Sequence, residues 1–212
     1  MGPDMTADAV VFDIGRVLID WQPEEFYDRA LGPDRRRTLF DAVDLYTMNA
    51  HVDRGADLHD AVEALAAAHP GWAAEIRLWR DSWLDMAQPE IPGSVRLLRA
   101  LKARGVPVYA LTNFGIQTFE IARAAYPFLD LFDARFVSGH LRVMKPEAEI
   151  YAILEAETGH APERLIFTDD NADNVAAAAA RGWQAHLFTG PDGWAAQLVR
   201  AGLLTEQEAA HG

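Results

Sequence analysis

From Pro92 onward, short apolar runs alternate strictly with helix-like segments, and this alternation constrains the fold more than any other feature of the chain. PGSVRLLRALKARG reads as a helix closed by Gly105, VPVYALT as a strand, and IQTFEIARAAYP as a helix stopped near Pro127. ARFVS follows as a strand, PEAEIYAILEAETG as a helix closed by Gly159, RLIFT as a strand, ADNVAAAAARG as a helix ended by Gly182, and WQAHLF as a last strand. Asp192 is placed to cap a final helix running through Val199. Strands that alternate with helices of this length form βαβ units and a parallel sheet. The strand-like runs lack polar alternation, as they must when helices cover both faces of the sheet. The expected fold is therefore α/β, a Rossmann-like parallel sheet flanked by helices on both sides.

One more run of the same kind, AVVF at 9–12, stands apart near the start. Between it and Pro92 the texture is helical without a convincing strand. Asp57 precedes LHDAVEALAAA as an N-cap, and Pro70 with Gly71 separates that helix from the next. Trp72, Trp79 and Trp83 are spaced as one face of a helix, a pattern that reads as core packing. The chain thus divides into a core of residues 1–20 and 86–212 and an inserted all-helical cap of residues 21–85. Ligands of open parallel sheets bind beyond the carboxyl ends of the strands. A block that leaves the core at that edge is placed to cover such a site.

Composition narrows the function. The net charge of −13 and pI near 4.8 argue against nucleic acid or an acidic membrane as partners. No apolar stretch approaches the roughly 20 residues needed to span a bilayer. There are no cysteines, hence no disulfides or thiol chemistry. The first residues, with Asp4 and Asp8, do not follow the charged-then-apolar pattern of a secretory signal, and a cytoplasmic location is expected.

Four segments carry the chemistry: VVFDIGRVLID (10–20), YALTNFG (109–115), RVMKPE (142–147) and LIFTDDNADNV (165–175). Three begin as buried strands and end in polar residues; the third is a Lys-Pro pair opening a helical stretch. In a parallel sheet they bring Asp13, Thr112, Asn113, Lys145, Asp169 and Asp170 towards one point. An Asp at a strand end is common, and one acid at a helix start is explained by capping. Three neighbouring carboxylates repel unless a cation is bound. Hard oxygen ligands without His or Cys favour Mg²⁺ over zinc. Lys145 supplies a point charge suited to a phosphoryl oxygen, and Thr112 and Asn113 supply donors to the same anion.

These motifs resemble those of the haloacid dehalogenase superfamily, in the group with a helical cap after the first strand, and the resemblance extends over essentially the whole chain. SGHLRVMKPEAEIY and IFTDDNADNV resemble a subgroup of bacterial sugar-phosphate phosphatases acting on α-D-glucose 1-phosphate. The resemblance implies that Asp13 attacks phosphorus to form an aspartyl-phosphate, which water hydrolyses. It implies Mg²⁺ as cofactor, held by Asp13, the Gly15 carbonyl and Asp170, with Asp169 direct or through water. It also implies that Thr112, Asn113 and Lys145 hold the transferring group, and that the partner is a small phosphorylated metabolite. Phosphatases of this superfamily usually carry a second Asp, a general acid, where this chain has Gly15. An anomeric leaving group would lessen that need; Asp20 or a residue of the cap could otherwise take the role.

A 2-haloacid dehalogenase uses the same nucleophile without a second Asp or a metal, so Gly15 is compatible with it. Asp169 and Asp170 oppose that reading, because they would repel a carboxylate substrate. A catalytically weak phosphate-binding protein is a third alternative, supported only by the missing acid. Tyr46, Asn49 and Arg54 are cap residues that could face the site.

Overall fold

A computed structural model describes residues 7–211, and Asp4 therefore lies outside the described residues. Five strands form one parallel sheet in the order β3-β2-β1-β4-β5. They are β1 (Ala9–Phe12), β2 (Val108–Thr112), β3 (Ala134–Val137), β4 (Leu165–Asp169) and β5 (Gln184–Leu187). The connecting helices of this part are α7 (Pro92–Ala103), α8 (Ile116–Ala125), α9 (Ser138–Leu141), α10 (Ala148–Thr158), α11 (Ala172–Ala180), α12 (Pro191–Arg200) and α13 (Glu206–His211). Pairing of side chains to alternate faces divides the core in two. Val10 and Phe12 of β1 pack with Leu98, Phe119 and Trp194 on one face, whereas Ala9 and Val11 pack with Ile150, Tyr151 and Trp183 on the other. The sheet is therefore covered by helices on both sides, as its unbroken apolar strands require.

The intervening segment is wholly helical, with α1 (Pro23–Leu31), α2 (Pro33–Ala42), α3 (Leu45–Asp53), α4 (Leu58–Ala68), α5 (Ala73–Asp81) and α6 (Trp83–Met86). The chain enters and leaves this block side by side. The backbone N–H groups of Asp20 and Gln22 donate to the carbonyls of Pro89 and Met86 at 2.9 and 2.8 Å, and that of Ile91 donates to Leu18 at 2.8 Å. Asp57 caps α4 by accepting from the Asp60 N–H at 3.0 Å. Among the described residues no helix is long and apolar enough to cross a membrane.

Three local expectations are corrected, and one helix is added. Trp72, Trp79 and Trp83 do not share one helix: a 3₁₀ turn over Pro70–Trp72 and a break at Ser82 put them on three elements. Trp79 and Trp83 are buried core residues, but Trp72 is only partly covered and stacks under Arg35. The Lys145-Pro146 pair precedes its helix instead of opening it; α10 starts at Ala148, after a turn in which Glu147 N–H donates to the Met144 carbonyl. Gly190, not Asp192, occupies the N-cap position of α12, with Pro191 as the first helical residue. Finally α13, a short polar helix behind α12, has too little apolar periodicity to be read in advance.

Candidate active site

Register assembles the site. Phe12 of β1 faces Thr168 of β4, so the next residue of each strand, Asp13 and Asp169, emerges at the same level. Asp13 N–H donates to the Thr168 carbonyl at 3.0 Å, which fixes the backbone at that point. Oxygens of Asp13, Asp169 and Asp170 all lie within 4.8 Å of one another. Lys145, from the loop between α9 and α10, is inserted among them with 2 % of its surface exposed. Its Nζ lies 2.8 Å from Asp13 Oδ1 and 2.6 Å from Asp169 Oδ2.

Electrostatics and hydrogen bonding give these acids different tasks. Asp169 is fully buried and saturated: Oδ1 accepts from Asn171 N–H at 2.8 Å, and the Asn174 amide donates to both oxygens at 3.1 and 3.0 Å. Its carboxylate holds Lys145, which leaves Asp13 and Asp170 as the acids with free coordination positions. Burial pushes Asp13 up to about 7; the charge of Lys145 opposes this and that of Asp169 adds to it. Burial raises Asp170 as well, and the Asp169 charge adds to the shift. Burial disfavours the charge on Lys145, but Asp13 and Asp169 outweigh it and hold the ammonium above its ordinary pKa. Three acids against one lysine leave an excess of negative charge that suits a divalent cation, and the donor set is all hard oxygen.

Asp13, Gly15, Asn113 and Asp170 line a cavity of about 300 Å³. Lys145, Asp169 and Thr112 sit behind this wall. Thr112 Oγ1 is buried without a hydrogen-bond partner, an orphan hydroxyl at the end of β2. The Asn113 side chain is occupied differently from the expectation that it holds a phosphoryl group. Its amide clasps the Lys145 backbone, Nδ2 donating to the carbonyl at 3.0 Å and Oδ1 accepting from the N–H at 2.9 Å. Asn113 thereby positions the lysine, and its amide keeps a second Nδ2 hydrogen beyond these two bonds.

The opposite wall belongs to the helical block and the segments leading to it. It carries Trp21, Asn49, Asp53, Trp83 and Ala87, with Ile19, Asp20 and Phe114 beside them. Trp83 packs between Trp21 and Phe114 at centroid distances of 5.7 and 5.6 Å. Of the three polar residues singled out in this block, only Asn49 reaches the cavity. Tyr46 donates to Glu24 at 3.2 Å, and Arg54 pairs with Glu147. Asp53 and Arg16 line the cavity without having been singled out. Asp53 lies four residues after Asn49, hence on the same helix face, and that spacing was the available signal. Arg16 holds a left-handed backbone (φ 56°) and lies 3.8 Å from Asp170, an arrangement no sequence pattern announces.

The haloacid dehalogenase-like hydrolase family matches residues 7–182. The chain belongs to this family. Among curated relatives of this haloacid dehalogenase-like hydrolase is the sesquiterpene phosphatase astK of Aspergillus oryzae, 28 % identical over 177 residues, covering 84 % of this chain and 87 % of the relative. Drimenol cyclase drtB of Aspergillus calidoustus is 27 % identical over 205 residues, and that match spans 90 % of this chain but only 36 % of the cyclase. A HAD family enzyme of Bacteroides thetaiotaomicron, solved with magnesium and inorganic phosphate, shares the fold with a TM-score of 0.69 at 19 % identity, over 87 % of this chain and 95 % of that one. The L-2-haloacid dehalogenase of Xanthobacter autotrophicus shares it at a TM-score of 0.60 and 21 % identity, over 96 % and 87 %.

Proposed function

We propose that this hydrolase is a Mg²⁺-dependent phosphatase that cleaves a small phosphomonoester through an aspartyl-phosphate on Asp13. The observation that carries the reading is the pairing of Asp13 with buried Lys145 beside Asp170, a nucleophile, a phosphoryl-binding cation and a metal ligand at one strand edge. The curated phosphatase relative supports phosphoryl chemistry, and the magnesium and phosphate in the Bacteroides enzyme support the cofactor. Asp13, the Gly15 carbonyl oxygen and Asp170 would hold Mg²⁺, with Asp169 through water. Bound there, the ion would neutralise charge on the transferring group and orient it.

Within this reading Asp13 attacks phosphorus as the bond to the leaving oxygen breaks, and water then attacks the aspartyl-phosphate to release phosphate and restore the carboxylate. Lys145 holds a phosphoryl oxygen, helped by the orphan Thr112 hydroxyl and the spare Asn113 amide hydrogen. Asp169 and Asn113 keep Lys145 in place. Residues 21–85 act as a cap that closes the cavity over the substrate and excludes water. A dehalogenase reading is disfavoured by Asp170, which lines the cavity and would face a carboxylate substrate, and by the further negative charge of Asp169 behind it.

The substrate is a phosphate ester with a body that lies against the wall formed by Trp21, Trp83 and Phe114. Such rings take either the apolar face of a sugar, as in glucose 1-phosphate, or a hydrocarbon, as the terpenoid relatives favour. The test is phosphate release from p-nitrophenyl phosphate, glucose 1-phosphate and a prenyl monophosphate, with Mg²⁺ and with EDTA. Release that needs Mg²⁺ and vanishes in Asp13→Asn is expected. Halide release from 2-chloropropionate with no phosphate released from any ester would overturn the reading.

A further inference from the structure

Resting on the phosphatase reading, we propose that Asp53 is the general acid of this enzyme, carried on the helical block opposite the nucleophile, and that it replaces the acid absent at Gly15. The chemistry creates the need. When Asp13 forms its bond to phosphorus, the bond to the leaving oxygen breaks, and an alcohol leaves readily only if that oxygen gains a proton. Gly15 has no side chain to supply one. A proton donor has to reach the cavity from elsewhere, and Asp53, on the helical block, lines the same cavity as Asp13 at the sheet edge.

The hydrogen bonds around Asp53 direct its proton into that cavity. Trp79 Nε1 donates to Asn49 Oδ1 at 3.0 Å, and an indole can only donate, so the orientation of the Asn49 amide is fixed. The Asn49 NH₂ group therefore faces Asp53 and donates to Oδ2 at 2.9 Å. The hydrogen-bond partner of this carboxyl group, the Asn49 amide, is a donor and cannot accept the O–H of a protonated Asp53. The acceptor has to be something in the cavity, which is where the leaving oxygen of an ester on Asp13 would lie. Burial pushes Asp53 up to about 7 against the opposing effect of Gly115 N–H, which keeps both protonation states populated at neutral pH.

Asp20, the other acid of the cavity wall, is engaged locally. It accepts from the Trp21 N–H at 2.9 Å and from the Gln22 side chain, and so shapes the turn leading into the helical block. In the proposed cycle the Asp53 proton passes to the leaving oxygen as the aspartyl-phosphate forms. The resulting Asp53 carboxylate takes a proton from the water that attacks phosphorus, so the acid is restored with the release of phosphate and alcohol.

The experiment compares p-nitrophenyl phosphate, whose leaving group departs as an anion without help, with phenyl phosphate, whose leaving group needs a proton. The quantity is kcat/KM, which reports only the steps through aspartyl-phosphate formation. Turnover by the wild type tests the phosphatase reading; the ratio of the two substrates within each variant tests Asp53. Asp53→Asn is expected to lower phenyl phosphate turnover about 10²-fold or more and p-nitrophenyl phosphate turnover by less than about tenfold. A variant that is merely misfolded in part loses both equally and leaves the ratio unchanged. An unchanged ratio in Asp53→Asn, or a ratio that shifts in Asp20→Asn instead, would overturn the proposal.

Discussion

Replacing Lys145 by Met tests the electrostatic account of the site without reference to any substrate. The lysine side chain is 1 % exposed and lies within 2.8 Å of one carboxylate and 2.6 Å of another, themselves 10 % and 0 % exposed. Methionine fills similar space but leaves buried carboxylates without their cation, and breaking a buried pair in this way costs about 3–5 kcal/mol. For a chain of this size, at roughly 2–4 °C per kcal/mol, the fall in Tm is roughly 10 °C. The loss has a pH signature. Asp13 already has a folded-state pKa above its unfolded value, and removing the lysine raises it further. A carboxyl raised on folding favours the folded state below its unfolded pKa and loses that contribution as pH rises through the folded one. The deficit of Lys145→Met is therefore smallest near pH 5 and largest above pH 8. Mg²⁺ replaces part of the missing positive charge and narrows it. Thermal unfolding of both proteins at pH 5, 7 and 8.5, with and without Mg²⁺, measures all three effects. An equal Tm, or a deficit that ignores both pH and Mg²⁺, would refute this electrostatic picture.

Other outcomes follow from the same contacts. Asp13→Asn is expected to abolish phosphate release and leave the fold intact, checked by activity alongside circular dichroism. Mg²⁺ affinity should weaken as pH falls below about 7, because the ion competes with a proton on Asp13; calorimetric titration at pH 6 and 8 should show tighter binding at the higher pH. Asp53→Asn should stabilise the protein at pH 8.5 by at most roughly 4 kcal/mol, since it removes the cost of ionising a carboxyl pushed up to about 7, and the gain should shrink as pH falls through 7 and vanish only below about 4 in thermal unfolding. Gly55→Ala should lower stability by about 1–3 kcal/mol by urea titration, because the residue sits at φ +96° and an added Cβ would lie 2.5 Å from the Gly139 carbonyl oxygen.

The sheet and the residues at its edge were legible because short-range pattern and topology agree there. Apolar runs such as RLIFT end in acids at the carboxyl edge, and parallel pairing leaves little freedom in where Asp13 and Asp169 emerge. The division of labour among the acids was not legible. Asp169 and Asp170 are neighbours with one side-chain type, yet one is saturated by Asn171, Asn174 and Lys145 and the other faces the cavity. That difference follows from which direction each residue points on leaving β4. The Asn113 amide is similar: its bond to the Lys145 backbone joins residues 32 positions apart, a distance that periodicity does not address. By pattern alone Trp79 is a packing residue and Asn49 one of three cap residues that could face the site, and only their contact makes them a support for Asp53.

Placing the acid on α3 ties the proposed chemistry to the seating of the helical block. Asp53 ends α3, and the core receives that end at unusually close range. A Cβ added at Gly115 would collide with Val52, and one added at Gly55 with the Gly139 carbonyl. Ser138 Oγ donates to the Asp53 carbonyl at 2.6 Å while accepting from the Phe114 N–H at 3.0 Å. The N–H of the same Gly115 opposes the rise in pKa of the Asp53 carboxyl group. Seating the block and positioning its acid therefore use one set of contacts. A second Asp two residues beyond the nucleophile would be in place however the block sat. With Gly15 there instead, nucleophile and acid face each other only when α3 rests on the 113–115 loop, so an ester that reaches Asp13 while the block is displaced finds no proton donor, and water that reaches the aspartyl-phosphate finds no base. Ordered closure then becomes a condition of the proposed reaction as well as a barrier to solvent.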